Sequence, residues 1–316
     1  MKLEFSVSAD ENGLTLAAIL RKRLAPQDAG ADAVEVPWSR ARMLCTRGKV
    51  TVDGVIALDP ATRCKRAQKV SVDERAPKPK PASAAELVFD DPHVVVLDKP
   101  SGISSVPYEK REVGTAMDMV RAAWKHAGIK GTSIPLLVVH RIDKETSGLL
   151  AFAKSKLAER ELQALFRTHD VERTYVCVAH GKVFSRRIES MLVTDRGDGL
   201  RGSTRKPKLG KRAVTHVRVL EELPGATLCE VKLETGKTHQ IRIHLSEAGH
   251  PLVGERVYIR DFSKRGEEPI PAPRLLLHAA TLGFRHPVTK ELVQLSSPLP
   301  PDFTAELAKI RRRRGS

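Results

Sequence analysis

Residues Ala76 to Ala82 read Ala-Pro-Lys-Pro-Lys-Pro-Ala. Alternating prolines lack the backbone N–H donors that a helix interior or a central strand needs, and they favour an extended spacer. No single hydrophobic core can run continuously through this segment, so the sequence predicts a small head and a larger body. The expected divisions are a head over residues 1–75, a linker over 76–84, a body over 85–305 and a basic tail over 306–316.

The full 316 residues are long enough for two such units, and 41% apolar residues with 29% charged ones suit a folded chain rather than a disordered one. Lys and Arg number 54 against 38 Asp and Glu, a surplus of +16 that makes an anionic polymer or surface the expected partner. The longest apolar runs, such as Ile134 to Val139, fall far short of the roughly 20 residues of a membrane span. The opening Met1-Lys2-Leu3-Glu4-Phe5 lacks a signal-peptide core, and the expectation is a cytoplasmic protein with no membrane association. Cys45, Cys64, Cys177 and Cys229 lie far apart without metal-finger spacing and read as reduced core residues.

In the head, Leu14, Ala17, Ala18, Leu20 and Leu24 recur at helical intervals. Ser39 is an expected N-cap for a helix from Arg40 to Arg47, which Gly48 would end. Val50-Thr51-Val52, Asp53-Gly54 and Val55-Ile56 form a hairpin pattern. Arg40, Arg42, Arg47 and Lys49 cluster on this helix and turn, either as a solvated face or as a nucleic-acid contact.

In the body, strands are expected at Leu87 to Phe89, Val94 to Leu97, Leu136 to Val139, Arg173 to Ala179, Ala213 to Leu220 and Thr227 to Leu233. Helices are expected from Thr115 to His126 and from Ser155 to Phe166, the latter with Leu157, Leu162 and Leu165 on its apolar side. Strands outnumber helices without regular alternation. That pattern predicts an α+β fold with a mixed, largely antiparallel sheet. Arg196 to Arg212 reads as a glycine-rich basic loop.

Two polar segments stand out. His140-Arg141-Ile142-Asp143-Lys144-Glu145-Thr146-Ser147-Gly148 lies between apolar runs, where a carboxylate serves either as a nucleophile or base, or as the cap of a surface turn. Thr238-His239-Gln240-Ile241-Arg242-Ile243-His244-Leu245 is read as a helix capped by Thr238, with a strand as the other reading because Ile241 and Ile243 alternate. On the helix, Arg242 leaves the Ile241 stripe and can reach a carboxylate from another loop. His239, His244 and His250 are spaced for hydrogen bonding rather than for a metal, and none is predicted. The His-Arg-x-Asp string also occurs in the kinase catalytic loop, which requires an Asn five residues past the Asp. The only Asn in the chain is Asn12.

Taken together, His140 to Leu150 and Thr235-Gly236-Lys237-Thr238-His239-Gln240-Ile241-Arg242-Ile243-His244-Leu245 resemble the signature of the RluA family of RNA pseudouridine synthases. Lys99-Pro100-Ser101-Gly102, Arg173-Thr174-Tyr175 and the stretches Leu275 to Ala279, His286-Pro287 and Pro298 to Phe303 resemble further family segments in the same order. The head resembles an S4-like RNA-binding domain, a small α/β fold, with Asp53 where Asn is often found. The resemblance implies the pseudouridine synthase fold and an isomerase. Asp143 would be the essential carboxylate in moving the ribose bond of uridine from nitrogen to carbon 5. Tyr175 would stack on the uracil, Arg242 would pair with Asp143, and Arg141 would fill the gap left by the flipped nucleotide. Ile142, Lys144 and Glu255 stand where Leu, Arg and Asp are commoner. It implies no cofactor, and the sequence carries no Walker or dinucleotide fingerprint. The expected partner is ribosomal RNA, with transfer RNA second, acted on by a monomer. The rival expectation is a non-catalytic RNA-binding or ribosome-assembly factor in which the head and the basic loop do the work.

Overall fold

The computed structural model describes residues 2–25, 35–57, 59–76, 86–107, 112–131 and 133–313. The chain divides into two compact units, Met1–Ser83 and Ala84–Ser316. The proline-rich segment beyond Ala76 lies outside the described residues.

In the smaller unit, β1 (Lys2–Ser6), α1 (Leu16–Arg23), α2 (Trp38–Thr46), β2 (Val50–Val52), β3 (Val55–Ile56) and β4 (Lys69–Asp73) follow in sequence. The strands form an antiparallel sheet in the order β1-β4-β2-β3. Asp53 and Gly54 both take positive φ, 51° and 78°, which a two-residue hairpin with right-handed strand twist demands. Leu16, Ile19 and Leu20 of α1 pack with Leu44, Cys45, Val70 and Val72. The expected Ser39 cap is corrected: α2 starts at Trp38 behind Pro37, which offers no capping side chain, so Ser39 lies in the first turn.

The larger unit is built on a mixed sheet that, among the described residues, has 11 strands. These are β5 (Leu87–Asp90), β6 (Val94–Lys99), β7 (Leu137–Val138), β8 (Ser147–Ala153), β9 (Glu172–His180), β10 (Arg186–Val193), β11 (Gly202–Thr204), β12 (Lys211–Leu223), β13 (Ala226–Leu233), β14 (Leu277–Arg285) and β15 (Leu292–Ser296). The order is β11-β10-β12-β13-β9-β14-β8-β6-β5, with β15 on β14 and β7 on β8. Every pairing is antiparallel except β14 with β8.

Both faces of the central strands are covered, which is why β6 and β8 read as unbroken apolar runs. The side-chain alternation sorts them: Val95, Leu97, Leu150 and Phe152 pack with Trp124 of α3 (Ala116–His126) and with Ile241 and Leu245 of α5 (Gln240–Glu247). Val94, Val96, Leu149 and Ala151 pack on the other face with Ala158 and Leu162 of α4 (Lys156–Thr168). Each fully buried aromatic such as Phe152 contributes about 2–3 kcal/mol of transfer free energy. Thr115 and Ser155 cap α3 and α4 through their side chains. Leu157, expected on the buried stripe of α4, is instead exposed, and Ala158 occupies that face.

At the one parallel pairing, Gly148 of β8 opposes Ala279 with φ of 108°. A Cβ there would stand 2.3 Å from the Ala279 carbonyl oxygen, so only glycine allows the approach. That crossing fixes the start of β8, and with it the loop at 140–146.

Two further expectations are corrected. The tail does not begin at 306: α6 (Pro301–Arg311) buries Phe303, Leu307 and Ile310 against Val178 and Leu276, and Arg311 forks onto Glu221 at 2.6 and 2.9 Å. Residues 314–316 lie outside the described ones. The segment 196–212 is not an open basic loop either, because it contains β11 and a short 3-10 turn at Pro207–Leu209. Arg196 pairs with Asp198 and Asp261, and Arg212 with Glu189, so part of its charge is already neutralised within the fold.

Candidate active site

The loop 140–146 is clamped from below by the turn after β6. The Lys99 ammonium, fully buried, donates to the carbonyls of Pro100, Ile103 and Lys144 at 2.9, 2.8 and 3.1 Å. Ser101 donates to the Glu145 carbonyl at 2.7 Å, and Gly102 N–H to that of Lys144 at 2.8 Å. Ser105 donates to the Ile142 carbonyl and accepts from the Ile142 N–H, at 2.7 and 3.2 Å. His140 accepts from the Ala151 N–H at 2.9 Å and stacks on Phe166, and burial pushes its pKa down to about 3, keeping the ring neutral. Asp143 therefore projects from a turn whose backbone is held at both ends.

The second segment is a helix rather than a strand. Its first turn is set by Gln240, whose amide oxygen accepts from the Thr235 hydroxyl at 2.7 Å and the Lys237 N–H at 3.0 Å, and whose amide nitrogen donates to Val214 and Thr215 at 2.9 Å. The expected Thr238 cap is corrected: His239, left-handed at φ 58°, occupies the N-cap position. Thr238 accepts instead from Arg141 at 3.3 Å. Residues 240–245 of α5 are all buried, Arg242 included.

Arg242 Nη1 lies 3.7 Å from Asp143 Oδ2, within ion-pairing range. Its tighter partner is Glu255, which accepts from Nε and Nη2 at 2.7 Å each. Burial works against the Arg242 charge, but Glu255 and then Asp143 hold its pKa above the ordinary value. Burial likewise opposes the Glu255 charge. The Arg242 fork and N–H groups of Val257 and Tyr258 override it, and its carboxyl titrates below the usual range. On the other side of Asp143, His239 Nε2 stands 3.9 Å from Oδ1, and its Nδ1 meets the Tyr258 hydroxyl at 2.7 Å. His244 bonds to Ser190 and Thr215, and His250 to the His180 carbonyl, so these histidines are engaged in hydrogen bonds.

Tyr175 of β9 is buried, and burial raises its phenol pKa. It forms one wall of a cleft of about 380 Å³ that Asp143, Arg141, Arg242 and His239 also line, a volume suited to a small ligand. The structure thus brings Asp143, Arg141, Tyr175 and Arg242 together, although they come from three separate segments. A carboxylate beside a buried guanidinium, facing an aromatic wall in a cationic cleft, is equipped to hold a planar uncharged base and to present an anionic oxygen to its sugar. Glu255, His239 and Tyr258 were missed by sequence reasoning as parts of this site. The Gly254-Glu255 pair that follows α5 was the available signal.

The head residues belong to the other unit. Arg40, Arg42 and Arg47 are exposed, Arg40 pairs with Glu74 at 3.1 Å, and half-buried Lys49 donates to the Ala76 carbonyl.

No helix among the described residues is long and apolar enough to cross a membrane. Residues 93–247 match the RNA pseudouridylate synthase family. The chain is 35% identical over 278 residues to the ribosomal large subunit pseudouridine synthase D of Zymomonas mobilis, covering 84% of this chain and 86% of that protein. It is 32% identical over 307 residues to an RNA pseudouridine synthase of Synechocystis, covering 95% and 91%. The human RNA pseudouridylate synthase domain containing 4 matches in structure with a TM-score of 0.55 and 26% identity, over 71% of this chain and 92% of that one. The chain belongs to the RluA family of RNA pseudouridine synthases, isomerases that convert uridine to pseudouridine in RNA.

Proposed function

We propose that this enzyme acts on large-subunit ribosomal RNA as a cytoplasmic monomer, with Asp143 as the catalytic carboxylate. The carrying observation is the placement of Asp143 3.7 Å from a buried Arg242 in the cleft that Tyr175 walls. Arg242 pairs with the Asp143 carboxylate and restricts where its oxygens point. Tyr175 stacks on the flipped uracil, an interaction typically worth ~1–3 kcal/mol. Arg141, exposed at the cleft mouth, enters the gap that the flipped nucleotide leaves and offsets part of an unstacking cost of a few kcal/mol. The smaller unit serves as an S4-like RNA-binding head, presenting Arg40, Arg42, Arg47 and Lys49 to the RNA backbone. The names of similar proteins, among them ribosomal large subunit pseudouridine synthases of Zymomonas mobilis and Pseudomonas aeruginosa, support the choice of substrate.

Mapping pseudouridines in total cellular RNA, with and without the gene, tests the substrate. Loss of one or a few sites in large-subunit ribosomal RNA is expected, and losses confined to transfer RNA would overturn the assignment. Replacing Asp143 by Asn should abolish isomerisation while RNA affinity stays within a few fold. An active Asp143→Asn enzyme would remove Asp143 from its role.

A further inference from the structure

Among the described residues, the buried guanidinium groups of Arg242 and Arg274 carry carboxylate partners, whereas half-buried Arg173 at the cleft does not. Arg242 has Glu255 and Arg274 has Asp302. Arg173, two residues before Tyr175 on β9 and on the same face of the strand, has none: its Nε and Nη2 atoms are shut off from solvent and make no hydrogen bond. Burial lowers its pKa, and only Tyr175, not a carboxylate, counteracts that. A half-buried cation with two shielded, unpartnered nitrogens and no counter-charge carries a desolvation cost, so a fold that keeps one in a ligand cleft is arranged for an anion that arrives with the ligand.

The surroundings are built for this cation. The Phe166 ring lies 5.7 Å from the guanidinium carbon. Gly236 leaves the space that Nη1 fills, since a Cβ there would stand 2.5 Å from it. His169 and Lys237 also line the cleft, and after burial itself, the charges of Arg173 and Lys237 are what hold the His169 pKa down, which places all three close together. Among the described residues, Asp143 is the one acidic residue that lines the cleft. Uracil is uncharged, so the anion that a flipped uridine brings into this pocket is a phosphodiester of its own backbone.

We propose that Arg173, with Lys237 near it, forms a phosphate subsite that grips one of the two phosphodiesters flanking the target uridine. This rests on the RNA-modifying function proposed above and adds a binding group distinct from Asp143, Arg242 and Tyr175. The anchor fixes the backbone while Tyr175 holds the base, so the ribose between them is delivered to Asp143 in one orientation.

A stem-loop cut from the ribosomal RNA around the mapped uridine, carrying one uncharged methylphosphonate either 5′ or 3′ of the target, tests the subsite. Affinity and kcat/KM are both measured. One of the two neutral linkages should lower both quantities for the parent enzyme by about 10- to 100-fold, the scale of a charge-assisted hydrogen bond. Arg173→Met should lose a similar factor on the unmodified RNA and respond less than about twofold to that same linkage, as expected when the two changes remove one interaction. Arg173→Lys should recover part of the loss, and its unfolding midpoint and that of Arg173→Met should not fall. Gly236→Ala, which keeps the charge but crowds it, should reproduce the Arg173→Met defect. Losses that multiply in Arg173→Met, or a parent indifferent to both linkages, would overturn the subsite. A parent that binds the stem-loop with the predicted sensitivity but converts none of it would instead overturn the assignment of substrate.

Discussion

Glu255 and Arg242 form a buried two-point pair, at 2.7 Å on both contacts, and the nitrogen that this fork leaves over is the one 3.7 Å from Asp143. The geometry makes Glu255 the anchor of the site. Without it, Arg242 could rotate fully onto Asp143 and draw that carboxylate out of position. Glu255→Gln should therefore lower kcat by about tenfold or more with little change in RNA affinity. It should also cost about 3 kcal/mol of stability, the scale expected when one member of a buried pair is removed. Single-turnover kinetics and urea unfolding of the same variant check both numbers. Glu255→Asp, the residue commoner in the family, should keep most of each.

The acid limb of stability follows from the same pair. The folded pKa of Glu255 lies below its ordinary value, so the folded state binds fewer protons than the unfolded one as the pH falls. Its contribution is fully present above the unfolded pKa of about 4.3 and is lost as the pH drops through the lower folded value. In the head, the Arg23 fork lowers Glu11 to about 2, so the corresponding window runs from about 4.3 down to about 2. Thermal unfolding at pH 6 and pH 3 should show a steep acid loss in the parent and a shallower one in both Glu11→Gln and Glu255→Gln. Parallel curves would mean that these pairs do not set the acid limb.

Lys99 gives a third expectation. Its ammonium ties the 100–103 turn to the Lys144 carbonyl, one residue past Asp143. Lys99→Met preserves the length and the apolar stem but leaves three carbonyls without their donor. A loss of about 2–4 kcal/mol is expected, with kcat falling because the Asp143 turn loosens. Hydrogen exchange at Thr146, whose N–H donates to the Asp143 carbonyl at 3.0 Å, reads that loosening directly.

What was legible in the sequence was whatever depends on local pattern. Asp53-Gly54 announced its hairpin, and Thr115 and Ser155 announced their helices, because turns and caps are decided within four residues. The apolar run Val94 to Leu97 announced β6, but not that both of its faces are covered, and the run after the 140–146 loop was not legible as the strand β8. Asp143, Tyr175 and Arg242 came from the resemblance, since no spacing rule links positions 143, 175 and 242 that only β-sheet closure brings together. The resemblance marks Glu255 only as standing where Asp is commoner, and its anchoring role is not legible until the Arg242 fork is seen. Arg173 escaped because its distinguishing feature is a missing partner, which only packing reveals. The basic segments expected at 196–212 and 306–316 mislead for a related reason: charge counted along the chain does not record that Arg196, Arg212 and Arg311 are already paired with Asp198, Glu189 and Glu221.

The proposed role of the head gives a last expectation. Arg42 and Arg47 are exposed on and just after α2, whereas Arg40 is engaged with Glu74. If the two contact phosphates, each neutralises one and releases its counterion, so the dependence of log K on log salt should become shallower by roughly 0.7 to 0.9 per contact removed. The double variant Arg42→Gln/Arg47→Gln should bind ribosomal RNA more weakly, with a slope reduced by about the sum of two such contacts. Its kcat at saturating RNA should stay unchanged, because neither residue lines the cleft around Asp143. Filter binding between 50 and 200 mM salt makes the comparison, and an unaltered slope would show that these arginines form a solvated face and that RNA is held elsewhere.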